Sequence, residues 1–130
     1  MKIIRGHEVE FAPAAHADPN VPGVVRRVLA TRDDFQAGQT MMLNWAQLPV
    51  GKSFRPHFHE NMQEAFVIIR GQVTMKVDNE DIALDRGDAV LVSPREVHSM
   101  ENTGKEVAEF IVFGIASGEG GRTVIVGQEP

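Results

Sequence analysis

The chain contains no cysteine and no tyrosine. The first absence removes disulfides, thiolate nucleophiles and thiolate metal sites together. The second removes phenolic acids and bases. Excess positive charge is missing too: 13 basic residues face 18 acidic ones, a formal net charge of −5. That balance leaves no electrostatic footprint for DNA or RNA and argues against recruitment to an anionic membrane surface. No apolar run approaches membrane-spanning length. The opening MKIIRGHEVEFAPAAHADP breaks its apolar residues with charge too early for a signal-peptide core, so a cytoplasmic location is expected.

Helix-period runs are lacking as well, and what remains is a strand pattern. From residue 40 onward, TMMLNWAQL, FVIIRG, QVTMKVD, DIALD, DAVLVS, HSMEN, VAEFIVFGI and TVIV are short segments, β-branched or alternating in polarity. Between them lie the turn formers PVG, HENMQ, DNED, RGD, SPRE, NTGKE and SGEGG. Many short strands at near-even spacing predict an all-β sandwich or small barrel. A chain of 130 residues suits one domain. Within it we expect an amino-terminal arm with edge strands over 1–39, a barrel over 40–115, and a closing loop and edge strand over 116–130. VVRRVLA, residues 24–30, reads as a strand, Ile3 and Ile4 as a short one, and RDDFQAGQ as a loop.

The chemistry gathers in GKSFRPHFHENMQEAFVIIRG, residues 51–71. His57 and His59 share a parity and point to one face of a strand, whereas Glu64 has the opposite parity. A chain reversal over Glu60–Gln63 restarts the count. Glu64 then opens a new strand beside the first, with Phe66 and Ile68 on its face, and meets the two imidazoles across adjacent strands. Imidazole and carboxylate together suit first-row divalent metals. A second histidine stretch, GDAVLVSPREVHSMEN over 87–102, follows another glycine turn.

Taken together, the two stretches resemble the cupin superfamily. Its first motif, G-x5-H-x-H-x3,4-E-x6-G, is matched by Gly51, His57, His59, Glu64 and Gly71. Its second, G-x5-P-x-G-x2-H-x3-N, is matched at Gly87, His98 and Asn102, with Ser93 and Arg95 where the motif has proline and glycine. The resemblance covers roughly residues 40–115. It implies a double-stranded β-helix, or jelly-roll barrel, of the small single-domain kind, often homodimeric through exchanged terminal strands. It also implies one divalent transition metal per subunit, held by His57, His59, Glu64 and His98. Iron, manganese, nickel, cobalt, zinc and copper all suit that set.

With two coordination positions left open, such a centre takes a small-molecule ligand. The resemblance therefore implies an enzyme on a small oxygenated substrate (keto, enediol, sugar or carboxylate), of dioxygenase, isomerase or lyase type, with Glu64 as a detachable catalytic base. The alternative is a non-catalytic binding or sensor module for a small acid or sugar. The missing tyrosine disfavours the sugar-epimerase mechanism of the superfamily, and the missing cysteine excludes its crosslinked thiol oxygenases. Gln63 stands as a reserve ligand if the turn is tighter. Arg55, in parity with His57, either points inward to bind a carboxylate or pairs with a surface acid. Phe66, Ile68, Met75 and Met100 either line the pocket or pack the core. Trp45 has no assigned face. Arg70 is expected to be exposed, and His7 and His16, in the arm, to be solvated.

Overall fold

The structure, a computed structural model, describes residues 2–35, 38–116 and 122–127. The expected glycine turn over 117–121 lies outside the described residues. The strands are β1 (Ala12–Pro13), β2 (Val25–Thr31), β3 (Thr40–Leu48), β4 (Ser53–His59), β5 (Met62–Arg70) and β6 (Val73–Val77). They continue as β7 (Glu80–Leu84), β8 (Ala89–Val92), β9 (His98–Glu101), β10 (Ala108–Ala116) and β11 (Thr123–Ile125). Two antiparallel sheets result, one ordered β1-β2-β3-β10-β5-β8 and the other β11-β4-β9-β6-β7. This is the double-stranded β-helix, a jelly-roll barrel. Among the described residues no helix is long and apolar enough to cross a membrane.

Period-two patterning builds the interior. Along β10, Ala108, Phe110, Val112 and Gly114 are buried, while Glu109, Ile111 and Phe113 between them are only partly covered. Asn44, Ala46 and Leu48 do the same on β3, and Phe66 and Ile68 on β5. These side chains join Phe54, Val73, Met75, Val92 and Met100 in one core between the sheets. Each large one contributes about 1.5–3 kcal/mol by leaving water. Met75 and Met100 are Cα partners at the heart of the second sheet.

Three local expectations need correction. Ile3 and Ile4 form no strand; they precede a 3-10 turn at Gly6–Glu8 that lies against Trp45. Trp45 thus sits on the outer face of the first sheet, where the Arg27 guanidinium lies 5.1 Å from its ring centroid. The turn after His59 is shorter than expected, because Met62 and Gln63 already pair with Ala116 and Ile115 in β5. Nor do β4 and β5 form a hairpin: Glu60–Asn61 carries the chain from one sheet to the other. Glu64 therefore faces the histidines across the barrel interior, which keeps the convergence by a different route.

Arg95 occupies the motif's glycine position and adopts glycine's backbone, at φ +70°. Its N–H donates to the His59 carbonyl at 2.8 Å, so the turn before β9 is held in spite of the side chain. An L-residue in this region costs roughly 1–2 kcal/mol, and the arginine side chain is exposed, with no packing to lose. Arg95→Gly should therefore raise stability by up to about 1 kcal/mol after the extra unfolded-state freedom of glycine is discounted. The check is a urea midpoint; an unchanged or lowered midpoint contradicts the strain.

Candidate metal and ligand site

Three strands deliver four side chains to one point: His57 and His59 from β4, Glu64 from β5 and His98 from β9. All four are buried, and one ligand atom from each lies within 4.8 Å of the others. His57 and His98 are Cα partners across the β4–β9 pair, which brings their ring centroids to 4.4 Å. Glu64 completes the group, while Gln63, its neighbour on β5, has the opposite parity.

Backbone carbonyls aim the rings. His57 Nδ1 donates to the Arg55 carbonyl at 2.9 Å, and His98 Nδ1 donates to the Glu96 carbonyl at 3.0 Å. His59 Nδ1 pairs with Thr123 Oγ1 at 3.0 Å, so β11 fastens the third ring from the far end of the chain. A carbonyl only accepts, so in neutral His57 and His98 the proton sits on Nδ1 and the Nε2 lone pair points inward. The Nε2 atoms of His59 and His98 then approach Glu64 Oε1 at 2.8 and 3.0 Å. His59 Nε2 is buried and lacks the alignment for a hydrogen bond despite its closeness.

Electrostatics agree with the geometry. Burial lowers the His57 pKa to about 3, and the neighbouring imidazoles of His16 and His98 push the same way. For Glu64 burial favours the neutral acid, but the ring nitrogens of His59 and His98 more than reverse it and bring the carboxyl down to about 2. The centre thus holds one carboxylate and at least one neutral imidazole near neutral pH.

The group opens on a cavity of about 420 Å³ between the sheets. Phe66 lines it, with Phe54, Met42, Phe110 and Val112 as further apolar wall and Asn44, Arg26 and Thr123 among the polar residues. Arg55 and Met100 do not line this cavity; both border a larger, separate depression of about 630 Å³ on the neighbouring surface. The larger space contains none of the histidines, whereas the smaller one is lined by His16, His57 and His59 together with Glu64. Arg55 is turned aside by the irregular register of β4 between Phe54 and His57, where Pro56 interrupts the ladder. Its Nε donates instead to the His16 carbonyl at 3.0 Å.

His16 itself is a correction. Rather than lying in solvent, its ring stacks on His57 with centroids 4.2 Å apart and planes at 28°. Burial lowers its pKa to about 4, against the opposing pull of Glu64. No local sequence signal marks this placement, because it depends on the arm folding back across the barrel. Asn44 did carry a signal: a polar residue in register with the inward-facing Ala46 and Leu48.

A two-sheet barrel with three imidazoles and a carboxylate sunk in its interior defines a class of proteins built to hold an ion or small molecule. The chain belongs to the cupin family, whose Cupin domain model matches residues 44–114. It is 29 % identical over 104 residues to the uncharacterized protein MJ1618 of Methanocaldococcus jannaschii, covering 80 % of this chain and 79 % of that one. It is 34 % identical over 65 residues to an oxalate-binding protein of Thermotoga maritima, covering 50 % and 54 % of the two chains. The crystal structure of a predicted oxalate decarboxylase from Thermotoga maritima superposes with a TM-score of 0.81 at 23 % identity, over 89 % of this chain and all of that one.

Proposed function

We propose that this chain is a metal-dependent cupin enzyme in which His57, His59, Glu64 and His98 hold one divalent transition ion and a small oxygenated substrate binds beside it. The observation that carries the reading is His98 Nε2, set 3.0 Å from Glu64 Oε1 on a ring whose Nδ1–H is already given to the Glu96 carbonyl. Two acceptors at that distance repel each other unless a cation or a proton lies between them. Metal–ligand bonds of about 2.1 Å span donor atoms up to about 4.2 Å apart, so the 4.8 Å group needs only slight contraction. The residues fit the ion.

When bound, the ion supplies Lewis-acid polarisation of a ligand oxygen and, if it is iron, manganese or copper, access to redox chemistry. The protein supplies the rest. Phe66, Phe110 and Val112 exclude water from the reacting end of the cavity. Carbonyls of Arg55 and Glu96 hold two rings in one tautomer and strengthen their inward lone pairs. Glu64, whose carboxylate reaches the cavity wall, would take a proton from the substrate once detached from the ion. A second reading is a non-catalytic binding module for a small acid, favoured by the similarity to a protein named for binding oxalate.

The deciding experiment loads purified protein in turn with each candidate ion and measures bound metal. We expect about one ion per chain and its loss in His57→Ala. Failure of every ion to bind after reloading overturns the proposal. The loaded protein is then offered chelating diketones, catechols, keto sugars and oxalate. Product that disappears in His57→Ala supports the enzyme, whereas thermal stabilisation without product supports the binding module.

A further inference from the structure

A fourth histidine stands one layer outside the ligand group. His16 lies flat against His57 at 4.2 Å, yet it is not among the four residues whose ligand atoms converge within 4.8 Å. Its place is built, not accidental. Ala14 N donates to Val24 O, Ala17 N donates to Ala14 O, and Arg55 Nε donates to the His16 carbonyl, so the backbone is held on both sides of the ring. The side chain has no such commitment: Nδ1 is buried without a hydrogen-bond partner.

Buried polar atoms in folded proteins are nearly always satisfied, so an orphaned one calls for a missing partner. Asn44 Oδ1 is in the same condition, and Asn44 and His16 line the same cavity. Most of that wall is apolar, so few side chains are able to orient a ligand. A half-turn of the His16 ring exchanges nitrogen and carbon positions while keeping the stack, which lets the imidazole meet a ligand from the cavity side. Arg26 lines the cavity as well and biases it toward an anion.

We propose that His16, presented by the amino-terminal arm, is the ligand-positioning residue of this site, hydrogen-bonding an oxygen of an anionic chelating ligand seated at the His57–His59–Glu64–His98 centre. The inference rests on the metal reading above and adds the residue and the ligand class.

The test uses full-length protein loaded with cobalt(II), whose visible absorption reports on coordination, titrated with oxalate as the probe. His16→Phe keeps a ring on His57 and removes the nitrogens. We expect unchanged cobalt content and resting spectrum but oxalate affinity at least about 10-fold weaker, the loss of one charge-assisted hydrogen bond. His16→Gln should recover part of that loss. Equal oxalate affinity in wild type and both variants overturns the role of His16 while leaving the metal centre intact. Loss of cobalt from both variants also overturns it, since the residue then supports the centre and not the ligand. Wild-type protein that takes up cobalt but not millimolar oxalate overturns the ligand class. Failure of wild-type protein to take up cobalt overturns the centre and this inference together.

Discussion

Glu64→Gln should weaken binding of the divalent ion by at least about 100-fold and leave the ion-free protein folded. Glu64 provides the only anionic ligand atom of the four, and Oε1 stands 2.8 and 3.0 Å from the Nε2 atoms of His59 and His98. Glutamine has the same shape and no charge, so a dication would face three neutral imidazoles and an amide oxygen. Without the ion the glutamine amide keeps the shape of the carboxylate and offers either a donor or an acceptor to the ring nitrogens, so the fold is kept. At fixed free metal above both dissociation constants, a 100-fold loss removes about 2.7 kcal/mol of metal-induced stabilisation. Thermal unfolding of both proteins with and without metal reads all these terms. A variant that binds the ion as tightly as wild type, or that unfolds without it, would falsify the assignment of Glu64 as a ligand and mark it as a structural acceptor.

The sequence carried the centre further than it carried the surroundings, and the reason is spacing. His57, His59 and Glu64 lie within eight residues, and the period-two rule with one interruption brings them together. Whether that interruption is a hairpin or a step between sheets leaves no trace in four residues, because Glu60–Asn61 serves either. The strands of the core were legible from alternation, VVRRVLA included. Between the two placements open to Arg55, parity could not choose, because Pro56 lets β4 shift register just there. His16 and Trp45 were beyond local reasoning altogether. Both depend on the amino-terminal arm, which carries His16 to the cavity wall and lays Gly6 against the Trp45 ring. Such contacts join residues tens of positions apart, and no periodicity encodes them.

Asn102→Ala should cost about 3–4 kcal/mol, the largest stability loss expected from a single polar residue here. Asn102 is 2 % exposed and lies outside the group of His57, His59, Glu64 and His98. Its amide nitrogen donates to the carbonyls of Leu48 and Glu106, each at 2.8 Å, and its Oδ1 accepts from Gly104 N at 2.9 Å. One side chain therefore ties the end of β3 to the turn that leads into β10, while its own backbone bonds Gly51 and Lys52. Alanine leaves two carbonyls and an N–H without partners in or near the core, at about 1–3 kcal/mol for each group that water cannot reach. Aspartate should be no better despite its shape, because a carboxylate cannot donate to either carbonyl. Both variants should lower the urea midpoint with little change in its slope, the mark of lost stability in an otherwise unaltered fold. The folded fraction should keep its metal, since none of the three bonds reaches the ligand group. A loss under about 1 kcal/mol would mean that the two turns hold their shape without this bridge and that Asn102 is only one of several ties.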